Sequence, residues 1–148
     1  MSRGMILRAI RTRIGTRKMR RRAMLELVMA DGHLRGANHE QLAAEFADLF
    51  GRDLADQPPI VMKQLRAMSN YGIAQGLTRL AGLSTLVVSG AHDLIARPAL
   101  GRALADSIPG ARYVEFPDAG HALSIECARE TNELLVAQLA AAGVNTNA

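Results

Sequence analysis

The fold of this chain is decided by the stretch LSTLVVSGAHD, which occupies residues 83–93. A second stretch, IPGARYVEFPDAGH at residues 108–121, follows the same plan. Each contains a short run of β-branched, aliphatic or aromatic residues that ends at a glycine or a proline, as is typical of a buried strand. We therefore predict a strand over 84–89, ended by Gly90, and a second strand over 111–116.

Two helical patterns accompany these strands. Apolar spacing predicts one helix over 98–108 and a final amphipathic helix over 126–142, with Leu134, Leu135 and Leu139 on one face. The order strand, helix, strand, helix predicts a right-handed parallel crossover. Parallel strands are normally buried on both faces inside larger sheets. The two strands therefore resemble one edge of a sheet whose remainder is not in this sequence.

The first half of the sequence has helical spacing. Apolar residues continue a basic N-terminal helix as far as a stop at Asp31-Gly32. Asn38 fits the N-cap of a helix that ends at Gly51. Proline at 58 or 59 can open a third helix, and residues 70–76 resemble a connector.

The predicted fold class is α/β, with a helical half over 1–78 followed by a β-α-β-α piece over 79–148. The 148 residues, 49% apolar and 22% charged, are ordinary for a globular protein with a sizeable core. Aromatic residues make up only 3%, which argues against recognition by aromatic stacking. A single cysteine excludes a disulfide framework and a multi-cysteine metal site, and no apolar run approaches the length of a membrane span.

Positive charge is concentrated at the N-terminus. Residues 1–22 hold nine Arg and Lys side chains and no acid, whereas residues 23–148 hold nine basic and fourteen acidic side chains. The basic segment has three interpretations: a transit peptide, an arm for an anionic partner, or an Arg-rich helix, of which we favour the helix. No apolar segment follows the first charges, as a secretory signal requires, and we predict a cytoplasmic location.

Two polar residues stand just beyond the predicted strands. Asp93 follows the first strand and His121 follows the second. Functional groups of parallel α/β sheets lie in these loops, and adjacent strands bring the loops side by side. The carboxylate can then accept from one imidazole nitrogen and leave the other as a general base. Taken singly, such an Asp often caps a turn and such a His often lies on the surface, so these structural interpretations stay open.

Both stretches resemble parts of one known family. Residues 83–93 resemble the penultimate core strand and acid loop of the α/β-hydrolases, and residues 108–121 resemble their last strand and histidine loop. Glu126 matches a Glu that often follows this histidine, whereas Ser84 stands where a Pro is common.

The resemblance covers roughly residues 80–140. It implies that Asp93 is the acid of a catalytic triad and that His121 is the general base. With weaker motif support, the helical half over 1–78 looks like the cap, or lid, domain of the family plus a connector.

The nucleophile that the family requires is not found in this sequence. It would lie on a Gly-x-Ser-x-Gly elbow before both of these residues. Gly72 and Gly76 have the glycine spacing but enclose Ala74 in the nucleophile position, and Gly82-Leu83-Ser84 lacks the second glycine. The His-Gly oxyanion loop of the family is missing as well. We therefore predict that the isolated chain has no meaningful esterase activity, and that it uses no cofactor and no metal ion.

Three functions follow, in order of preference. The first is a partial hydrolase of the serine type, acting on a small apolar ester or similar substrate, with its nucleophile encoded upstream or in a separate chain. The second is a non-catalytic, truncated hydrolase-like protein that acts by dimerising or by pairing its exposed sheet edge with a partner. The third, which we favour least, is binding of nucleic acid or anionic lipid by residues 1–22.

Three further residues can carry chemistry. Cys127 lies near the start of the predicted last helix, where a helix N-terminus can lower the pKa of a thiol, but we favour a buried structural cysteine. His33 and His39 have no recognised metal-ligand spacing, and we interpret them as loop histidines.

Overall fold

The computed structural model of the chain describes residues 3–56, 58–69, 71 and 74–143. The chain divides into two compact units, Met1–Gly72 and Ile73–Ala148. The second unit thus begins six residues before the boundary predicted between 78 and 79. A 3-10 helix over Ala74–Leu80 occupies the end of the segment predicted to be a connector. The other connector positions Asn70, Gly72 and Ile73 lie outside the described residues.

The first unit is helical. Its helices are α1 (Arg3–Arg11), α2 (Arg17–Val28), α3 (Asp31–Leu34), α4 (His39–Phe50) and α5 (Ile60–Ser69). The predicted ends of α4 are confirmed: the Asn38 side chain accepts from the N–H groups of Glu40 and Gln41, and Gly51 ends the helix in the left-handed region at φ +67°. The helix predicted after the prolines is also confirmed, since α5 begins directly after Pro59.

The predicted single basic helix up to Asp31 is wrong, because the chain turns between α1 and α2. Gly15 adopts φ +100°, which a side chain would oppose, and Thr16 then caps α2 by accepting from the N–H of Met19. The predicted stop at Asp31-Gly32 is wrong as well, since α3 begins there.

Helix α2 lies at the centre of the first unit and packs against α1, α3 and α4. Leu25 of α2 is completely buried, and Phe46 and Ala43 of α4 are buried in the same unit. Only part of the apolar stripe that predicted these helices therefore lies in the core, since Leu49 and Phe50 of α4 are exposed.

The basic segment folds into α1 and the start of α2, as the helix interpretation predicts. Six of its cations form ion pairs with carboxylates of the same unit; they are Arg8, Arg11, Arg17, Lys18, Arg21 and Arg22. Glu26 pairs with two of these side chains and Asp53 with two others. Much of the positive charge is therefore compensated by acids of the same unit, and apart from the i,i+4 pair of Arg22 and Glu26 these acids are distant in sequence.

The second unit contains a parallel β-α-β arrangement, which confirms the predicted parallel pairing of the strands and the helix between them. Strand β1 (Leu86–Gly90) pairs in parallel with β2 (Arg112–Phe116), and the register runs from Leu86↔Arg112 to Gly90↔Phe116. Helix α6 (Pro98–Asp106) connects the strands and packs on both of them. Among the described residues β1 has β2 as its one strand neighbour.

Helix α6 approaches the sheet at a position where only glycine fits. A Cβ atom on Gly101 would lie 2.1 Å from the hydroxyl oxygen of Ser89 in β1. The neighbouring Arg102 stacks over the ring of Tyr113, 4.6 Å from its centroid, and pairs with Glu115 at 2.9 Å. This close packing holds the helix against the face of the two strands.

The predicted final helix over 126–142 is confirmed as α8 (Ala128–Ala141), which begins two residues later than predicted, and a short helix that was not predicted precedes it. This short helix, α7 (Leu123–Glu126), ends at Cys127, and α8 begins after it. None of the described side chains of α8 is buried, and Leu135 and Leu139 are 49% and 44% exposed. The predicted apolar face of this helix therefore lies largely in solvent. No helix in the described part of the chain combines the length and the apolar character that crossing a membrane requires.

Candidate active site

Asp93 lies in a tight turn directly after β1. Its side chain is only 5% exposed, and its N–H donates to the carbonyl of Gly90 at 3.1 Å. The Oδ1 atom accepts from the N–H groups of Ile95 and Ala96 at 2.7 and 2.8 Å. The turn-capping interpretation of Asp93 is therefore correct, but it uses only one of the two carboxylate oxygens.

The second oxygen of this carboxylate contacts the histidine. Oδ2 of Asp93 lies 2.8 Å from Nδ1 of His121, and the imidazole side chain is 43% exposed. The structure thus brings together the two residues that the sequence placed at neighbouring strand ends. His121 is partly on the surface, but a buried carboxylate determines its orientation. Asp93 caps its turn and holds His121 at the same time.

The two loops that carry Asp93 and His121 are joined by their main chains. The N–H of Ala91 donates to the carbonyl of Phe116, and the N–H of His92 donates to that of Ala119, both at 2.9 Å. Ala119 is completely buried. The hydrogen-bonded pairing of the strands therefore continues beyond their ends, and this continuation determines the distance between the two side chains.

The pair has the geometry of an acid and a general base. A carboxylate oxygen can only accept, so the 2.8 Å contact requires a proton on Nδ1 of His121. That tautomer leaves a lone pair on Nε2, which can take a proton from a nucleophile. The 148 residues contain no Gly-x-Ser-x-Gly sequence to supply that nucleophile.

Two sets of main-chain contacts that the sequence did not predict support this pair. Glu126 Oε1 accepts from the N–H of Gly120 at 2.8 Å, directly before His121 in the chain. The sequence signal for Glu126 was its resemblance to a family position, without a role. The amide donors of Ile95 and Ala96 have no side-chain signature at all, because main-chain N–H groups are present at every residue except proline.

The other candidate residues do not join this site. Burial raises the pKa of the Cys127 thiol, and nearby carboxylates, first that of Glu130, raise it further. The idea of a thiol activated at a helix N-terminus is therefore wrong. The interpretation of His33 and His39 as loop histidines is wrong, because His33 lies in α3 and His39 is the first residue of α4, with Nε2 3.2 Å from the carbonyl of Leu34. No group of three or more His, Cys, Asp or Glu side chains that can hold a metal occurs within the described ranges.

The second unit thus combines a parallel β-α-β arrangement with an Asp after one strand and a His, hydrogen-bonded to it, after the next. The chain contains part of the α/β-hydrolase fold, and its resemblance to that family is confirmed by the proteins it matches. No protein-family model matches the chain.

Two solved structures and one curated relative illustrate the similarity. The crystal structure of a protein described as the non-heme bromoperoxidase BpoC from Mycobacterium tuberculosis H37Rv matches 96% of this chain and 54% of its own, with a TM-score of 0.73 and 21% identity. The enol-lactonase from Burkholderia xenovorans LB400 matches 92% of this chain and 50% of its own, with a TM-score of 0.66 and 28% identity.

The curated relative is a protein described as the carbamate hydrolase RutD from Klebsiella pneumoniae strain 342. It is 35% identical over 81 residues, which are 55% of this chain and 30% of the relative. The chain thus spans about half the length of the solved structures and less than a third of this relative. These matches show a shared fold, and the reactions in the names above are those of the matched proteins.

Proposed function

We propose that the chain contributes the acid and the general base of a serine-type hydrolase, with Asp93 and His121 in these roles. The observation that carries the proposal is the 2.8 Å contact between Oδ2 of Asp93 and Nδ1 of His121. The partial burial of the pair and the joined main chains of its loops support it, since a catalytic base must be held in one orientation.

The proposed substrate class is a small apolar ester or a similar acyl compound. In such a reaction Nε2 of His121 takes the proton of the attacking hydroxyl and later returns it to the leaving group. The similarity to a lactonase supports this class, because a lactone is a cyclic ester. General-base catalysis of this kind contributes roughly 10²–10⁴-fold in rate.

The nucleophile and the oxyanion donors have to come from outside these 148 residues. Without them the covalent route and the stabilisation of the developing negative charge are both missing. We therefore expect the chain by itself to show no ester turnover. This part of the proposal would be contradicted if the purified chain hydrolysed esters and if Asp93→Ala or His121→Ala abolished that activity.

A chimera tests the roles of the two residues. The segment that precedes the matched region in the enol-lactonase would be fused to this chain, and hydrolysis of nitrophenyl esters would be measured. We expect turnover that Asp93→Ala and His121→Ala each reduce by roughly 10³-fold or more, and that His33→Gln leaves unchanged. A folded chimera that is inactive, or one that is active and insensitive to both substitutions, would contradict the proposal.

The alternative function is non-catalytic, with a partner at the open edge of β1. It is favoured by the single strand neighbour of β1 and by exposed leucines on the helices of the same unit, among them Leu100 and Leu135. The occupant would be a second copy or a complementing chain that extends the sheet. Sedimentation that stays monomeric at every concentration would contradict self-association, and Leu135→Lys should weaken any dimer that forms through α8.

We do not expect nucleic acid or an anionic membrane as the partner. Six cations of the basic segment are already paired with carboxylates of the first unit, which reduces the charge presented to an anionic polymer. Binding to duplex DNA or anionic vesicles with a steep dependence on salt concentration would contradict this expectation.

A further inference from the structure

We propose that Glu126 is a positioning residue for His121 and acts through the main chain of Gly120. This proposal rests on the proposed function of the Asp93–His121 pair. Glu126 Oε1 accepts from the N–H of Gly120 at 2.8 Å, and Gly120 is the residue directly before His121. Glu126 thus holds the chain immediately beside the proposed base.

The N–H of Gly120 needs this acceptor. Gly120 is buried, and a buried N–H without a partner costs about 1–3 kcal/mol. The preceding residue Ala119 is completely buried, and its carbonyl accepts from His92 in the other loop. The histidine loop is therefore fastened at Ala119 to the acid loop and at Gly120 to Glu126, and the next residue along the chain is the base.

The main chain at Glu126 is itself held in place by a short helix. The N–H groups of Ile125 and Glu126 donate to the carbonyl of Ala122 at 2.8 and 3.0 Å, which closes the turn of α7 directly after His121. The chain ends this turn at Cys127 before α8 begins. Residues 120–126 consequently form a closed loop in which His121 lies between the donor Gly120 and the acceptor Glu126.

Loss of this contact should disturb the imidazole because hydrogen bonds weaken steeply with distance and angle. The contact with Asp93 orients the ring, and a shift of the main chain at Gly120 would move the Cα atom of the adjoining His121 and with it the imidazole. The consequence is measurable without any substrate: His121 would leave the tautomer with the proton on Nδ1 and approach the mixture of tautomers of a free imidazole.

The test uses the full chain labelled with ¹⁵N, in which the ring nitrogen shifts of His121 report its tautomer. Three variants separate the properties of Glu126. Glu126→Ala removes the acceptor, Glu126→Asp keeps the charge but shortens the reach, and Glu126→Gln keeps the acceptor oxygen at the same reach without the charge. Glu133→Gln is the control, because Glu133 lies on the exposed face of α8 and pairs with Arg129.

We expect His121 to hold its proton on Nδ1 in the wild type, in Glu133→Gln and in Glu126→Gln, and to lose this preference in Glu126→Ala and Glu126→Asp. Hydrogen exchange at Gly120 should accelerate in the same two variants. If Glu126→Ala does not fold, the Asp and Gln variants decide the question. The proposal is overturned if Glu126→Asp keeps the wild-type tautomer, or if folded Glu126→Gln loses it.

The tautomer measurement is independent of turnover. A chimera that fails to hydrolyse esters would overturn the proposed function but leave the effect of Glu126 on the ring intact. A wild-type His121 without its proton on Nδ1 would overturn the hydrogen-bonded pair itself, and with it both proposals.

Discussion

Gly90, the last residue of β1, lies against the main chain of Gly120. A Cβ atom at position 90 would come within 2.3 Å of the Gly120 carbonyl oxygen and 2.5 Å of that of Ala119. The two loops of the candidate site therefore meet where no side chain fits. The distance between Asp93 and His121 depends on a residue that takes no part in the proposed chemistry.

Gly90→Ala should force these loops apart. We expect the second unit to lose about 1–3 kcal/mol of its unfolding free energy, since the clash is with main-chain atoms that cannot rotate away. Urea unfolding followed by circular dichroism measures the loss. Gly76→Ala is the matched control, because no atom lies within 4 Å of a Cβ there. Equal stability of the two variants would contradict the close approach.

Asp93→Ala should destabilise the chain more than Asp93→Asn. Alanine leaves the N–H groups of Ile95 and Ala96 without their acceptor, at a cost of about 1–3 kcal/mol, whereas the amide oxygen of asparagine can still accept from both. Both variants lose the ionised partner of His121. The measurement is urea unfolding, with Asp106→Ala as the control because Asp106 is exposed at the end of α6. If Asp93→Ala and Asp93→Asn reduced the unfolding free energy equally, the hydrogen bonds to Ile95 and Ala96 would contribute little to stability, and the prediction would be wrong.

The first unit should lose stability in acid through Asp53. The hydrogen bond from Arg21 holds the pKa of this carboxyl well below its usual range, with smaller contributions from the N–H of Ala55 and from Arg17. Because the pKa of Asp53 is lower in the folded state than in the unfolded state, its ionised carboxylate stabilises the fold. This stabilisation is fully present at pH values above the ordinary pKa of 3.8, and it is lost as the pH falls toward the lower pKa of the folded state.

We therefore expect the unfolding free energy of the chain to decrease below about pH 4 and Asp53→Asn to reduce this dependence. Urea unfolding at a series of pH values measures it. Asp48→Asn, on the exposed side of α4, is the control. An unchanged pH dependence in Asp53→Asn would be evidence against a native role for this carboxylate.

Cys127 should react slowly with alkylating reagents. Burial, and then the carboxylates of Glu130, Glu126 and Asp118, raise its pKa above the ordinary 9.0, so less thiolate is present at neutral pH. The rate of iodoacetamide labelling should be lower than that of a small model thiol, and its pH midpoint should lie higher. Glu130→Gln should accelerate labelling, whereas Glu133→Gln should not. Labelling as fast as the model thiol would contradict the raised pKa.

The elements of the second unit were predictable because their signals are local. The runs before Gly90 and Pro117 have strand composition, and Pro98 begins α6 at the position that favours proline. The short helix α7 was not predicted, because its four residues are too few to show a helical spacing. The short turn of α7 is instead associated with a contact from Glu126 back to Gly120.

In the first unit, too, local signals in the sequence were predictive and contacts between distant residues were not. Asn38 and Gly51 mark the ends of α4 by capping chemistry that needs only neighbouring residues. Gly15 and Thr16 carry the same kind of signal at the turn between α1 and α2, but basic and apolar residues at helical spacing on both sides of them obscured it. The pairing of Arg21 with Asp53 joins residues 32 positions apart, which spacing along a helix cannot predict.

The parallel β-α-β unit and the placement of Asp93 and His121 at neighbouring strand ends follow from the sequence alone, because strand composition and chain order are local properties. Only the tertiary structure decided that one oxygen of Asp93 caps its turn while the other holds the imidazole, and that Glu126 fastens the histidine loop. These contacts depend on how closely two main chains approach, and that distance is determined by packing over the whole unit, including the absence of a side chain at Gly90.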